Sequence, residues 1–307
     1  MLAIVAPGQG AQTPGFLSPW IQESSAQKLL ATWSEEIGLD LLALGTTAGA
    51  DEIRETSHAQ PLLVAAGLIS FMQTFDQQEI PINFFAGHSV GEITAASLAG
   101  VLDASTAMKL VNVRARAMSA AATNSHTGMS AVLGGERDVV IAALSSLGLT
   151  AANENGAGQI VAAGDLAALD RLAENPPEGS RVRPLAVSGA FHTSVMNPAV
   201  SALQAAANGE KISDARIAVL SNKDGAIVRS GSDLIARIVG QVAGPVRWDL
   251  CMKTLADSGV TGVIEVAPGG TLVGLLKRAE PSIQTFALKT PDDISGARAF
   301  AKEHGGK

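Results

Sequence analysis

The chain has 307 residues, of which 47% are hydrophobic and 17% are charged, so it is not disordered and can bury a large core. Its net charge of −7, without a basic stripe to neutralise phosphates, argues against nucleic-acid binding. The single cysteine, Cys251, excludes an internal disulfide and fits a reducing compartment such as the cytoplasm, where we expect a buried structural thiol.

The N-terminus predicts a buried strand, Leu2 to Ala6, without the basic and long apolar regions of a secretory signal. The glycine-rich segment Pro7 to Gln12 follows, and its backbone amides suit a phosphate or an oxyanion. It is not a dinucleotide fingerprint, because Thr13 stands where a third glycine is expected.

Two helices are predicted next, Ala26 to Ile37 and Ala59 to Phe75. The stretch from Ser57 to Phe75 has no charged residue, which raises the question of a membrane span. Polar residues and a proline interrupt it, so we expect a buried amphipathic helix and no membrane association.

A Gly-x-Ser-x-Gly motif, residues 87 to 91, lies between a predicted strand, Asn83 to Ala86, and a predicted helix, Val90 to Leu98. This context is typical of a nucleophile elbow, in which small residues two positions before and after the serine let the backbones approach. Ser89 is therefore a candidate nucleophile. The alternative is a glycine-rich turn in which Ser89 caps the helix.

The next helix is predicted to start at Asp103 and to run to about Ala122. Arg114 and Arg116 are two residues apart, so they cannot share a face, which leaves room for one of them to point inward. From the residues alone, a solvated helix arginine is the simpler interpretation of Arg114.

Small polar residues from Asn124 to Gly128 suggest a hinge, and the elements after it follow the order βαββαβ of ferredoxin-like domains. We therefore predict an α/β fold with a core at 1–124 and 187–307 and an inserted small subdomain at 125–186. The subdomain elements are strand Met129 to Leu133, helix Asp138 to Leu147, strands Leu149 to Asn153 and Gln159 to Ala163, helix Leu166 to Glu174 and strand Arg181 to Ala186.

The rest of the chain continues an alternating α/β plan. It ends in a polar last helix with a frayed tail. The predicted elements are an Ala-rich helix to about Asn208, strand Ile217 to Leu220, a turn at Asn222 to Gly225, helices Leu234 to Val242 and Trp248 to Ala256, strand Val263 to Val266 and helix Leu272 to Arg278.

Among five histidines, His192 is the best candidate for a base, because it follows Ser89 in chain order at the end of a Gly-Ala loop. A helix-capping role is its alternative. His88 adjoins the serine, and because neighbouring side chains diverge at a tight turn we expect it to contact substrate. No acidic residue is a clear third member, so a backbone or amide carbonyl remains to orient the imidazole. The poorer candidates are His58, His126 and His304.

Several segments together resemble the malonyl-CoA:acyl carrier protein transacylases, in the right order from Leu2 to about Leu288. This resemblance implies a hydrolase-like parallel-sheet core interrupted by a ferredoxin-like subdomain. The segments are Pro7 to Gly10, Gly87 to Glu92, Arg114 with Met118, Gly189 to His192, and Gln241 ahead of Pro245 to Trp248.

The resemblance implies a malonyl group transferred from malonyl-CoA to the phosphopantetheine thiol of acyl carrier protein through a malonyl-serine, with ping-pong kinetics. Ser89 is then the nucleophile, and His192 the general base and acid. The backbone N–H groups of Gln9 and Val90 would form the oxyanion hole. Gln241, which we include among the substrate-binding residues, would orient the histidine through its main-chain carbonyl.

Other residues are implied to bind substrate. Arg114 would pair with the malonyl carboxylate through two hydrogen bonds, and Phe191 would favour malonyl over methylmalonyl by crowding. We expect Asn155, with Asn153 and His88, at the pocket, although paired asparagines before a glycine also suit a turn.

We expect no cofactor, no metal and a monomer. Since carrier proteins of this kind are acidic, a basic docking patch is also expected, with candidates Arg181, Arg183, Lys277 and Arg278. Two other functions stay open: a serine esterase or thioesterase using water as acceptor, and a noncatalytic module that binds a carrier protein.

Overall fold

The computed structural model describes residues 1–75, 81–123, 125–187 and 189–305. The start of the predicted hinge, Asn124, lies outside the described residues.

The described chain alternates strands and helices for most of its length, as predicted. The strands are β1 (Leu2–Ala6), β2 (Phe84–Gly87), β3 (Thr127–Gly134), β4 (Thr150–Glu154), β5 (Gln159–Asp165), β6 (Ser180–Pro184), β7 (Ala218–Leu220), β8 (Ile227–Val228), β9 (Val246–Arg247), β10 (Gly262–Glu265) and β11 (Gln284–Ala287). The helices are α1 (Ser24–Ile37), α2 (Leu41–Thr46), α3 (Ala50–Arg54), α4 (Thr56–Phe75), α5 (Gly91–Leu98), α6 (Ala104–Thr123), α7 (Arg137–Ser146), α8 (Leu166–Glu174), α9 (Asn197–Ala207), α10 (Gly231–Gln241), α11 (Trp248–Asp257), α12 (Thr271–Ala279) and α13 (Ile294–Gly305).

The larger sheet has the strand order β11-β10-β1-β2-β7-β8. Its first five strands are parallel, and β8 is an antiparallel edge strand. Every residue of β1 is buried, which is typical of a parallel strand covered by helices on both faces. Ala6 pairs with Gly87, so the glycine-rich segment after β1 lies beside the turn after β2.

The smaller sheet has the strand order β6-β3-β5-β4-β9. Its first four strands are antiparallel, and their elements occur in the predicted order with ends within two residues of the predicted ones. The fifth strand, β9, comes from much later in the chain and runs parallel to β4. This pairing ties the small sheet to the segment that leads into α11.

Helix α4 is buried, as predicted, but it is not amphipathic, so that part of the prediction is wrong. Every residue from Ala59 to Ser70 is buried, because α2, α3, α5, α6 and α13 pack around this helix. A helix covered on all sides needs no polar stripe, which explains its apolar sequence. Within the described ranges, none of the helices combines the length and hydropathy that crossing a bilayer requires.

The expected frayed tail is also wrong as far as residue 305. Helix α13 packs on α4 and β10, and His304 is buried with its Nδ1 atom 2.9 Å from Oγ1 of Thr261. The short elements α2, α3, β8, β9 and β11 were not predicted, because they are too short to show a hydrophobic period. Cys251 is a buried free thiol on α11, as predicted.

Candidate active site

The turn between β2 and α5 has the geometry of a nucleophile elbow. Ser89 has a φ of 54°, a left-handed conformation that costs an ordinary residue about 1–2 kcal/mol. A Cβ atom on Gly87 would overlap the backbone of Gly91, and one on Gly91 would overlap the carbonyl of Ala6. Both glycines are therefore required for the strand and helix to meet this closely.

Two buried polar residues brace this turn. The backbone N–H of Ser89 donates to Oδ1 of Asn222 at 2.7 Å, and Nδ2 of Asn222 donates to the carbonyl of Gly87 at 2.8 Å. The N–H of Asn222 in turn donates to Oε1 of Glu92 at 2.8 Å. Sequence reasoning assigned Asn222 to a turn and missed this role. The one charged residue of helix α5, Glu92, gave no indication of its partner, which is 130 positions away.

His192 lies beside the serine, with its Nε2 atom 2.8 Å from Oγ of Ser89. Its Nδ1 atom is 3.0 Å from the main-chain carbonyl of Gln241. Because a carbonyl only accepts, Nδ1 carries the proton and Nε2 is free to accept one from the serine. Burial and the charge of Arg114 lower the pKa of His192 to about 3, so the imidazole is neutral at pH 7.

Arg114 of α6 is buried beneath the serine and is 1% exposed. Its Nη2 donates to Oγ of Ser89 at 3.0 Å and its Nη1 to Oε1 of Gln60 at 2.6 Å, while Nε has no hydrogen-bond partner in the described part of the chain. Burial lowers the pKa of Arg114 to about 10, which still leaves a cation at neutral pH. Arg116 is exposed, so the two arginines do occupy different faces.

Ser89 and His192 line a cleft of about 810 Å³ at the carboxyl ends of β1 and β2. Parallel sheets place ligand sites at this edge. Gln9, Val90 and Phe191 also line it. The loop after β1 approaches the elbow closely, because a Cβ atom on Gly8 would lie 2.9 Å from the His88 carbonyl.

His88 joins the elbow to the small sheet. Its Nε2 atom donates to Oδ1 of Asn155 at 2.8 Å, and its ring meets Trp248 edge-on with centroids 5.9 Å apart. Burial lowers the pKa of His88. Asn153 and Asn155 both line the cleft, and Asn155 directly precedes the turn at Gly156.

The structure thus brings Ser89, His192, Arg114 and the Gln241 carbonyl into one hydrogen-bonded group. The remaining predicted site residues, Gln9, Val90, His88, Phe191 and Asn155, lie on the cleft wall. Of the four basic docking candidates Arg278 lines the cleft, and the other three are exposed. Among the side chains that the structure describes, no group of three or more suits a metal ion.

The chain is similar to known acyl transferases. The acyl transferase domain family model matches residues 4–294. A malonyl CoA-acyl carrier protein transacylase from Mycobacterium bovis is 46% identical over 296 residues, covering 96% of this chain and 98% of that protein. The crystal structure of MCAT from Mycobacterium tuberculosis has a TM-score of 0.94 at 46% identity and covers 97% of this chain and 99% of that one.

A more distant structure contains a partner. It is a malonyl-transacylase in complex with its type II PKS acyl-carrier protein, with a TM-score of 0.91 at 28% identity, covering 97% of this chain and 99% of that one.

The family model places the chain in the acyl transferase class, and its α/β fold matches that of the solved transacylase structure. The chain belongs to the acyl transferase domain family and, within it, to the malonyl CoA-acyl carrier protein transacylases.

Proposed function

We propose that this chain transfers the malonyl group of malonyl-CoA to the phosphopantetheine thiol of an acyl carrier protein. The observation that carries the proposal is the chain of hydrogen bonds from the Gln241 carbonyl through His192 to Ser89, with Arg114 against the same serine oxygen. The names of the relatives and the carrier-protein complex of one structural neighbour support it.

In the first half-reaction, Oγ of Ser89 attacks the thioester carbonyl while Nε2 of His192 takes its proton. The backbone N–H groups of Gln9 and Val90 stabilise the oxyanion. A donor of this kind contributes about 3 to 4 kcal/mol in other enzymes. The carbon–sulfur bond then breaks, and coenzyme A leaves as a thiol with the proton from His192.

In the second half-reaction the carrier thiol gives its proton to His192 and attacks the malonyl ester. Ser89 leaves with that proton, which restores the free enzyme. The two half-reactions share one covalent intermediate, so the kinetics are ping-pong. Serine, histidine and backbone amides supply every step, and the proposed reaction uses no cofactor or metal.

Arg114 provides the proposed selectivity. The malonyl carboxylate is one methylene from the reacting carbonyl, so the cation that binds it must lie close to Ser89, as Arg114 does. A planar guanidinium can pair with both carboxylate oxygens, and Nε has no other hydrogen-bond partner in the described part of the chain. Phe191, beside His192 on the cleft wall, would crowd a methyl branch and so favour malonyl over methylmalonyl.

We further propose that 1–124 and 187–307 form a hydrolase-like core and 125–186 a ferredoxin-like subdomain. The strand order β6-β3-β5-β4 and the βαββαβ sequence of elements support the second label. We also propose a monomer. The single buried thiol of Cys251 supports a reducing compartment such as the cytoplasm.

We propose that an acidic carrier protein docks at the mouth of the cleft on a basic patch. Arg278 supports this location, since it is exposed and lines the cleft. Arg181, Arg183 and Lys277 are the other exposed candidates.

Intact-mass measurement after mixing with malonyl-CoA tests the proposal. We expect one malonyl group on wild-type protein and on Ser97→Ala, a control on the elbow helix, and none on Ser89→Ala. The adduct should persist in buffer and move to a carrier protein when that is added. Rapid loss in buffer would indicate the esterase, and absence of labelling would indicate a noncatalytic module.

A further inference from the structure

We infer that Asn222 is a positioning residue for the nucleophile: its side-chain amide holds the elbow in the conformation that aims Oγ of Ser89 at His192. The inference rests on the proposed function of Ser89 as the nucleophile. It assigns a role to a residue that makes no contact with the reacting atoms.

Asn222 lies two residues beyond Leu220, the last residue of β7, and β7 pairs with β2. Its Oδ1 accepts the N–H of Ser89 and its Nδ2 donates to the carbonyl of Gly87. A side-chain amide that accepts from one residue and donates to the residue two before it makes the two hydrogen bonds that the N–H and C=O of one residue make to a parallel neighbouring strand. The side chain of Asn222 therefore carries the link between β7 and β2 into the turn itself.

The two peptide groups on either side of the Ser89 Cα atom are both held by hydrogen bonds. The N–H of Ser89 is bound by Asn222 at 2.7 Å, and its carbonyl accepts the N–H of Glu92 at 3.0 Å. The rotations φ and ψ lie between these two groups, so holding both groups holds the left-handed conformation and the direction of the Cα–Cβ bond. The Val90 N–H, the proposed oxyanion donor, belongs to the same peptide group as the Ser89 carbonyl. Its direction is therefore held as well.

Glu92 completes the brace. Its Oε1 atom accepts the N–H of Asn222 at 2.8 Å, and both residues are 0% exposed. The loop after β7 and the first turn of α5 are thus joined through one asparagine and one carboxyl group. A strained backbone persists only where its surroundings over-determine it, and these hydrogen bonds do so for Ser89.

The test is the rate at which malonyl-CoA acylates Asn222→Ala, measured by rapid quench and intact mass. Misplacing reacting groups by about 1 Å costs on the order of 100-fold, so we expect acylation to fall 10- to 100-fold. The Kd of malonyl-CoA, measured with Ser89→Ala and with the double variant Ser89→Ala/Asn222→Ala, should not change. If wild-type protein is not acylated, the proposed function fails; if wild type and Asn222→Ala acylate equally fast, this inference fails.

Asn83→Ala is the matched control. Oδ1 of Asn83 also accepts a backbone N–H, from Leu2 at 2.8 Å, but at the opposite end of β2. We expect this variant to lose stability and to keep the wild-type acylation rate. Equal loss of acylation in both variants would show that Asn222 acts only through general stability.

Asn222→Asp provides a rescue. An ionised aspartate would turn an oxygen towards the Gly87 carbonyl, whereas a protonated one can donate to it as Nδ2 does. Its neighbours are the Glu92 carboxyl and the Cys251 thiol, 3.6 Å from Nδ2, so acid should protonate it readily. We expect its acylation rate relative to wild type to rise from pH 8 to pH 6. A ratio that does not change with pH, or failure of both Asn222 variants to fold, would overturn the assignment.

Discussion

Arg114 donates a hydrogen bond from Nη2 to Oγ of Ser89 at 3.0 Å, so a buried cation touches the proposed nucleophile in the free protein. In a malonyl-serine, a carboxylate one methylene away from the ester carbonyl would lie beside that cation. This closeness favours a short, charged acyl group over an uncharged one. Substitution of Arg114 can therefore separate acyl-group specificity from catalysis by experiment.

We expect Arg114→Ala to lose malonyl transfer far more than acetyl transfer. Removing one partner of a buried ion pair costs about 3 to 5 kcal/mol, which corresponds to a loss of roughly 10² to 4 × 10³ in rate for malonyl-CoA. Acetyl-CoA has no carboxylate and should lose much less. The measurement is kcat/KM for both thioesters with each variant.

Arg116→Ala is the control, because Arg116 is on the same helix and exposed. It should leave both activities near wild type. Equal losses of malonyl and acetyl transfer in Arg114→Ala would show that the arginine is structural.

His192 should stay active as a base well below the usual pKa of histidine. Burial and the charge of Arg114 lower its pKa to about 3, so the neutral form that accepts the serine proton persists in mild acid. For a histidine with an ordinary pKa of 6.5, only about one molecule in thirty would carry the neutral imidazole at pH 5. We expect the acylation rate with malonyl-CoA to change little between pH 7 and pH 5. A midpoint near pH 6.5 for the acid limb would contradict this.

The sequence predicted the elbow because its determinants are local: the two glycines and the serine lie within five residues. It predicted His192 from chain order, and the roles of Arg114 and Gln241 came from family resemblance. It did not predict Asn222, because the partners of this residue are more than a hundred positions away and its neighbours resemble an ordinary turn. The burial of α4 on all sides was missed for a related reason: it depends on packing with other helices, such as α6 and α13, that the sequence of α4 itself does not show.

Glu92 should make the protein less stable as the pH rises above neutral. Burial raises its pKa to about 8, so the folded state keeps a proton that the unfolded state releases. The stability that Glu92 contributes through this raised pKa is fully present below pH 4.5 and is lost as the pH rises through 8. Between pH 4.5 and 6.5 the lowered pKa of His192 acts in the opposite direction, because there the unfolded state binds the extra proton and stability rises with pH. The effect of Glu92 on the unfolding free energy can therefore be measured apart from that of His192 between pH 6.5 and pH 8.

In that window we expect wild type to lose about 2 kcal/mol of unfolding free energy in urea, from 1.36 kcal/mol per pKa unit. Glu92→Gln removes the titrating group and should lose little. Glu178→Gln, at an exposed glutamate, should keep the wild-type slope. The same slope in Glu92→Gln as in wild type would show that another group is responsible.

Gly91→Ala should disrupt the elbow, because its added Cβ would overlap the carbonyl of Ala6 in β1. Forcing β1 and the start of α5 apart would cost about 1 to 3 kcal/mol of stability and would displace Ser89 from His192. Gly240→Ala is the control: Gly240 lies in α10, and an added Cβ meets no atom within 4 Å. It should gain about 0.5 to 1 kcal/mol, since alanine is the better helix former. Urea unfolding and the acylation rate test both expectations. If Gly91→Ala were as stable and as fast as wild type, the close contact between Gly91 and Ala6 would not be required for the elbow.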